Sequence, residues 1–205
     1  DHPVPLTDQT QIHAGTSGRA VKPVGTNCAF RRAALLQVGG FDPAYRFYLE
    51  DADIGLRLAA LGASAVVPDA QVHHGFAASA RRRADRVPTD LTQIGASSMV
   101  FLRRHADAAS WPDALNRLRA EQAARVASHV AAGRINQAEA RRLMDTLEQG
   151  IGEGETRPLE LLAPMEDKAQ GFAPLPGIGP RPGRVIAGRI WQARRKTVLM
   201  VTHSI

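Results

Sequence analysis

The sequence predicts an α/β protein, because both helical and strand-like segments are found along the chain. Apolar residues recur at helical spacing over residues 50–61, and a short strand containing two valines is predicted at 63–68. Apolar residues at similar spacing, each run followed by a glycine, predict two longer helices at 112–132 and 137–149. An apolar run at 198–201 predicts a further strand, so both kinds of element are present.

The elements before residue 62 are predicted from turn-forming residues. The first 24 residues contain three prolines and two glycines, which favour loop with at most a short strand. A short helix over 31–38 is expected to end at the glycine pair that follows it. Asp42 and Pro43 then predict the N-cap and first residue of another helix. Gly62 stands where the helix over 50–61 should stop.

The second half of the chain begins with a predicted helix over 90–105. The two longer helices after it are joined by four residues, a link short enough for an antiparallel hairpin. Residues 150–183 hold seven glycines and six prolines, a composition typical of a linker. The chain is therefore divided into four segments: an α/β domain at 1–108, a helical hairpin at 109–149, a basic Pro/Gly-rich linker at 150–196 and the start of a further α/β domain at 197–205.

Composition excludes several classes of protein. Cys28 is the only cysteine among the 205 residues, so an internal disulfide and a zinc site with two or more thiolates are both excluded. No apolar run approaches the ~18 residues of a membrane-spanning helix, and the first residues lack the layout of a secretion signal. A reducing, cytoplasmic location is expected.

The net charge of +6 is unevenly distributed. Seven basic residues and no acid occur from Lys168 onward, whereas residues 1–167 carry 19 basic and 20 acidic residues. A second basic cluster, Arg81-Arg82-Arg83 with Arg86, is interpreted either as a solvated loop or as a loop that faces phosphate. Aromatic residues make up 5% and do not alternate with the basic ones, so nucleic acid is not an expected partner. The alternative function is a non-enzymatic basic module that binds nucleic acid or an anionic surface.

Three acids, Glu50, Asp51 and Asp53, lie within four positions at the start of a predicted helix. Acids at a helix N-terminus cap free N–H groups and oppose the macrodipole, which is one interpretation of the cluster. Asp53 and Arg57 are four residues apart, so a structural ion pair is at least as plausible for them as a catalytic role. The other interpretation depends on the motifs around the acids.

Four motifs occur in a fixed order, and together they resemble the acceptor-side half of inverting family-2 glycosyltransferases. The family pattern is GTNxAFRR, GGFD, EDxDxxxR and HxxxxS. In this chain the motifs are Gly25-Thr26-Asn27-Cys28-Ala29-Phe30-Arg31-Arg32, Gly39-Gly40-Phe41-Asp42, Glu50-Asp51-Ala52-Asp53-Ile54-Gly55-Leu56-Arg57, and His74 with Ser79. The resemblance covers residues 24–105, and several independent motifs coincide within it.

The resemblance implies a GT-A fold, a Rossmann-like α/β sandwich, and transfer of a sugar from a nucleotide-diphosphate donor to an acceptor hydroxyl with inversion. Inversion by direct displacement needs a base that takes the acceptor proton. By resemblance that base is Asp51, and Glu50 positions the acceptor or the loop. Asp53 either binds substrate or, with Arg57, holds the helix in place.

The resemblance also implies substrate contacts in the two glycine-containing motifs. Thr26 and Asn27 would line the sugar pocket, although polar residues before a helix can equally serve as caps. Gly39 and Gly40 let the backbone turn tightly, close to donor or acceptor.

A diphosphate leaving group needs positive charge, which a divalent ion or arginines can supply. By resemblance His74 approaches the metal or the pyrophosphate, although a lone histidine is more often structural. Arg81, with the arginines beside it, would cover the same charge. The family's Asp-x-Asp ligands for Mg²⁺ or Mn²⁺ should precede Gly25 and are not found in residues 1–24, so this segment alone is expected to be inactive.

The implied partners are a nucleotide-sugar donor and a glycan or lipid-linked acceptor, with peripheral association at the inner face of a membrane as an option. Bacterial surface polysaccharide assembly is the process that the family analogy favours. Residues 196–204 resemble the start of a GT-B glycosyltransferase, which would make the natural protein a tandem transferase. A short edge strand that folds back on the first domain is the alternative for that segment.

Overall fold

The computed structural model describes residues 4–5, 7–16, 18–73 and 79–168. Over these ranges the chain is a mixed α/β structure, and the described residues up to Asp167 form one compact unit. Two short strands, β1 (Gln11–His13) and β2 (Ser64–Val66), pair antiparallel with Ile12 opposite Ala65. The described helices are α1 (Arg32–Gln37), α2 (Glu50–Ala59), α3 (Thr92–His105), α4 (Trp111–Ala131) and α5 (Gln137–Thr156), with a 3-10 turn at Ala108–Ser110 before α4.

The helix predicted over 50–61 is confirmed as α2. Ile54 is completely buried on its inner face, and the three acids occupy its first turn, where the macrodipole favours them. The helix predicted to begin at Pro43 is wrong, because residues 42–49 form turns. Asp42 accepts a hydrogen bond from the backbone N–H of Ala44 at 2.8 Å, so its carboxylate closes a turn and caps no helix.

The main hydrophobic core lies where α5 packs against both α3 and α4. Its side chains come from these helices and from the chain around them: Val87, Leu91, Ile94, Val126, Ile135, Ala140, Leu143, Leu147 and Ile151. A second cluster joins Ala44 and Tyr45 to Val100 of α3. The hairpin of α4 and α5 therefore shares its core with α3. No helix within the described ranges has both the length and the apolar character needed to cross a membrane.

Helix α5 continues to Thr156, so the predicted end of this helix at Gly150 is wrong. Gly150 and Gly154 lie against α3, where a Cβ on Gly150 would collide with the carbonyl oxygen of Thr92 and one on Gly154 would lie 2.5 Å from that of Ala96. The glycines therefore allow the two helix backbones to approach closely. The sequence predicts a helix stop at Gly150 because the facing helix, α3, is distant in the sequence.

This close approach makes Gly150→Ala an informative substitution. The added methyl group should force α3 and α5 apart and lower the free energy of unfolding by about 2 kcal/mol. Gly152→Ala is the matched control, because no atom of another described element lies within 4 Å of a Cβ at Gly152 in the same helix. There alanine should stabilise the protein by roughly 0.5–1 kcal/mol through its higher helix propensity. Urea unfolding of both variants measures the difference, and equal effects would contradict the packing assignment.

Residues 157–167, predicted as linker, belong to the same compact unit as the helices before them. The buried Arg157 guanidinium donates to the carbonyl of Ala44 at 2.7 Å and to the carboxylate of Glu153 at 2.7 Å. The backbone N–H of Met165 donates to the carbonyl of Leu36 at 2.9 Å. Residues 169–196 of the predicted linker and the predicted strand at 198–201 lie outside the described residues.

Candidate active site

The acids of α2 follow two residues with unusual backbone geometry. Tyr48 and Leu49 have φ angles of 77° and 68°, in the left-handed region that side chains with a Cβ rarely adopt. Each such residue costs about 1–3 kcal/mol and persists only where surrounding contacts enforce it. The chain therefore enters α2, and presents Glu50 and Asp51, through a strained turn.

Asp51 lies beside the loop that carries the first motif. Its Oδ1 accepts a hydrogen bond from the N–H of Ala52 at 2.7 Å. A Cβ built on Gly25 would lie 3.7 Å from Asp51 Oδ2, so the backbone of the first motif approaches this second oxygen. No described residue donates a hydrogen bond to Oδ2, which leaves it for an added hydroxyl group. The structure thus brings together two motifs that are 25 residues apart in the sequence.

Glu50 is half-buried beside Asp51. Its Oε2 is inaccessible to solvent and accepts no hydrogen bond from the described residues. A buried carboxylate oxygen without a donor carries a desolvation cost, so such atoms are usually explained by a bound water or ligand. Glu50 Oε2 and Asp51 Oδ2 are thus neighbouring carboxylate oxygens without a donor among the described residues, and Oε2 is closed to solvent.

Asn27 connects the first motif to the turn after β2. Its Nδ2 donates to the carbonyl of Ala70 at 2.6 Å, and the α1 helix begins after Arg31 without any side-chain cap. Asn27 therefore caps no helix here but fixes the loop that approaches Asp51. Thr26 is exposed in the same loop. His74 lies outside the described residues, and its predicted role stays a prediction.

Asp53 is buried in an ion cluster and is 1% exposed. Its Oδ2 accepts from Arg57 Nε and Nη2 at 2.9 and 2.6 Å, and its Oδ1 accepts from His105 Nε2 at 2.8 Å. Burial alone would raise the pKa of Asp53, but the hydrogen bonds from His105 and Arg57 outweigh it and hold that pKa below its usual value. With both oxygens occupied, the geometry favours the ion-pair interpretation over substrate contact.

Arg57 and His105 extend this cluster to other elements. Arg57 Nη1 also donates to the carbonyl of Val38 at 2.8 Å, just beyond α1, while His105 ends α3. The cluster therefore ties α2 to the end of α1 and to α3. His105 is not predicted from the sequence, because no local pattern relates two residues 52 positions apart.

The aspartate of the GGFD motif is also structural. Asp42 Oδ2 accepts from Arg104 Nε of α3 at 2.9 Å, and the carboxylate is 4% exposed. The pKa of the nearby Tyr45 hydroxyl is raised above its usual value, first by burial and then by the carboxylates of Asp53 and Asp42. The Tyr45 hydroxyl therefore stays neutral. Asp42 and Asp53 thus dock two motifs onto the same end of α3.

Gly39 and Gly40 have φ angles of 80° and 73°, so both positions need glycine as the sequence analysis expected. A Cβ on Gly39 would lie 2.7 Å from the carbonyl oxygen of Ala163, and one on Gly40 would lie 3.0 Å from Met165 Sδ. The close approach that these glycines allow is therefore to the chain's own residues 162–165. Their predicted contact with a substrate stays a prediction.

The arginine cluster belongs to a folded loop at 79–89. Backbone hydrogen bonds cross this loop, and Val87 anchors it in the main core. Arg83 pairs with Asp85 at 2.8 Å, whereas the Arg81 guanidinium carbon lies 4.3 Å from the centre of the Phe47 ring. Because Phe47 stands three residues before Glu50, this cation–π contact holds a positive charge near the start of α2.

A divalent ion has no ready site within the described residues. No group of three or more His, Cys, Asp or Glu side chains that could hold a metal occurs in that part of the chain. Asp53 already bonds Arg57 and His105, and Glu50 and Asp51 alone are too few for a resident metal centre. The described residues therefore do not by themselves fit the Mg²⁺ or Mn²⁺ ion implied by the resemblance.

Comparisons with known proteins agree with the motif assignment. Residues 9–94 match the family model described as glycosyl transferase family group 2. The chain is 48% identical over 59 residues to the N-acetylglucosaminyl-diphospho-decaprenol L-rhamnosyltransferase of two Mycobacterium tuberculosis strains, CDC 1551 / Oshkosh and ATCC 25618 / H37Rv. That alignment covers 28% of this chain and 19% of each relative, so the chain spans about a fifth of their length. No solved structure matches. The resemblance to family-2 glycosyltransferases is confirmed.

Proposed function

We propose that this chain, which matches the family-2 glycosyltransferases over residues 9–94, forms the acceptor-side part of a GT-A enzyme that transfers a sugar with inversion. The observation that carries the proposal is the position of Asp51. Its Oδ2 faces the backbone of the Gly25 motif and accepts no hydrogen bond from any described residue. A carboxylate held in this way can accept a proton from a hydroxyl group.

In the proposed mechanism Asp51 is the general base of a single displacement. The Ala52 N–H fixes Oδ1, so Oδ2 is the oxygen that receives the proton of the acceptor hydroxyl. The hydroxyl oxygen attacks the sugar carbon as its proton leaves. Attack and departure occur on opposite faces of the sugar carbon, which inverts its configuration. Glu50, half-buried beside Asp51, positions the acceptor or the loop at the start of α2. Thr26 and Asn27 line the same pocket, and Asn27 also keeps the loop in place.

The departing nucleotide diphosphate gains negative charge, which we propose is neutralised in part by Arg81. The Phe47 ring supports this guanidinium near the start of α2, and the folded loop keeps it there without ion pairing to a described acid. We place the ligands of the Mg²⁺ or Mn²⁺ ion, including an Asp-x-Asp motif, on a donor-binding segment outside these 205 residues. The ion would neutralise part of the negative charge of the diphosphate.

The curated relatives suggest the class of acceptor. Their name describes transfer of L-rhamnose to a sugar linked through a diphosphate to decaprenol. We propose a lipid-linked glycan as acceptor for this chain as well. An enzyme with such an acceptor would work in the cytoplasm at the inner face of the membrane, in the assembly of a surface polysaccharide.

The product of the reaction tests this proposal. An enzyme that contains this chain and a donor-binding segment is incubated with Mn²⁺ or Mg²⁺, a panel of nucleotide sugars and a polyprenyl-diphospho-sugar. We expect a single glycosylated lipid whose new bond has the anomeric configuration opposite to that of the donor, as read by NMR. A product of retained configuration would contradict Asp51 as the base of a single displacement.

A further inference from the structure

The strained turn before α2 is enclosed by contacts from three directions. Tyr48 and Leu49 are adjacent, and both adopt the left-handed conformation without being glycine. The Tyr48 ring packs against the main core, whereas Leu49 packs against the second cluster, which contains Val100 of α3. The two side chains are therefore held in different parts of the core, which prevents the backbone between them from relaxing.

Ser97 of α3 holds the backbone just before this turn. Its side chain is completely buried, and its Oγ donates to the carbonyl of Phe47 at 2.6 Å. This bond joins residues 50 positions apart. A completely buried hydroxyl group that bonds another element's carbonyl restrains that carbonyl, because breaking the bond would leave the hydroxyl without a partner.

The far side of the turn is fixed as well. The carbonyl of Leu49 accepts from the N–H of Asp53 at 2.9 Å, and the Asp53 side chain is held by Arg57 and His105. Asp51 therefore lies between two immobilised points, the Phe47 carbonyl and Asp53. The direction of its carboxylate depends on the conformation of the two strained residues.

We propose that Ser97 is a positioning residue, which holds the Tyr48–Leu49 turn in its left-handed conformation through the Phe47 carbonyl and thereby aims Asp51 at the acceptor hydroxyl. This inference rests on the proposed function, in which Asp51 is the base. Ser97 itself is buried and touches no substrate. It acts on the reaction through the backbone.

The first test is Ser97→Ala in an enzyme that contains this chain and a donor-binding segment. We expect kcat to fall about 10- to 100-fold, because small misplacements of a reacting group have effects of this size, while KM for the donor changes less than about twofold. Ser98→Ala is the control, since Ser98 is the next residue of α3 and its hydroxyl has no hydrogen bond to a described residue. Equal kcat values for the two variants would overturn the inference.

A pair of variants at Leu49 separates backbone geometry from packing. Asparagine tolerates the left-handed region, whereas a β-branched valine does not, and both are smaller than leucine. We expect Leu49→Asn to keep a higher kcat than Leu49→Val. If Leu49 served only to fill the core, the apolar valine would be the better replacement, and the opposite order would reject the positioning role. Urea unfolding of each variant accounts for any loss of folded enzyme.

Asp51→Asn in the same assay distinguishes failure of the inference from failure of the proposed function. If Asp51→Asn is inactive but Ser97→Ala has the kcat of Ser98→Ala and Leu49→Val has a higher kcat than Leu49→Asn, only the positioning inference is wrong. If Asp51→Asn remains active, the assignment of the base is wrong, and the positioning inference is rejected with it.

Discussion

Asp51→Asn is expected to lower the rate of sugar transfer by about 10²-fold or more, the usual contribution of a positioned acid or base. Asparagine has nearly the same shape as aspartate, and its Oδ1 can still accept the hydrogen bond from the Ala52 N–H. The start of α2 should therefore stay intact while the base is lost. Steady-state release of nucleotide, measured on an enzyme that contains this chain and a donor-binding segment, gives kcat.

The control is Asp145→Asn, because Asp145 is an exposed acid of α5 outside the candidate site. Its kcat should equal that of the unchanged enzyme. Donor affinity, measured by calorimetry, should be unaffected by either substitution. Near-normal transfer by a folded Asp51→Asn enzyme would show that this acid only caps the helix.

The sequence was informative wherever a local pattern determines the structure. Apolar spacing predicted α2, and the residue types of the four motifs predicted the family, which the comparisons confirmed. The positions of Glu50 and Asp51 in the first turn also follow from that local pattern. A cluster of acids at a helix start is visible in sequence because both its electrostatic cause and its members are local.

Contacts between distant residues explain what the sequence did not predict. The sequence is compatible with either a substrate contact or an ion pair for Asp53, because its partner His105 lies on another helix. The strained φ angles of Tyr48 and Leu49 carry no sequence signal, since neither residue is glycine or asparagine. Tertiary contacts from α3 enforce this turn.

The glycines illustrate the same limit. Gly39 was correctly predicted to need unusual backbone freedom, and its φ angle of 80° confirms that. The sequence predicts a helix stop at Gly150, whereas the structure places Gly150 within α5, against Thr92 of α3. Glycine allows both a left-handed turn and the close approach of another backbone. Only the presence or absence of a neighbouring backbone distinguishes these two roles.

Asp53→Ala is expected to lower the free energy of unfolding by about 3 kcal/mol, because it leaves the Arg57 guanidinium without its partner in a largely buried site. Arg57 would keep only the carbonyl of Val38, and His105 would lose its acceptor. Urea or thermal unfolding at pH 7 measures the loss. Alanine favours the helix, so helix propensity does not contribute to the expected destabilisation.

Glu148→Ala is the matched control, because Glu148 also binds an arginine, Arg119, through two hydrogen bonds at 2.8 Å, but at the surface. Solvent screening limits such a pair to roughly 0.2–1 kcal/mol. A loss at Asp53 no larger than the loss at Glu148 would contradict the structural role of the buried cluster.

The pH dependence of stability provides a second measurement of the same cluster. The pKa of Asp53 is lowered in the folded protein, so its contribution is complete above the ordinary carboxyl pKa near 3.8 and disappears as the pH falls through the lower native value. The difference in unfolding free energy between the unchanged protein and Asp53→Ala should therefore shrink below pH 4 relative to its value at pH 5. A difference that stays constant to the lowest pH at which both proteins fold would mean that the Asp53 carboxylate does not stabilise the fold through its charge.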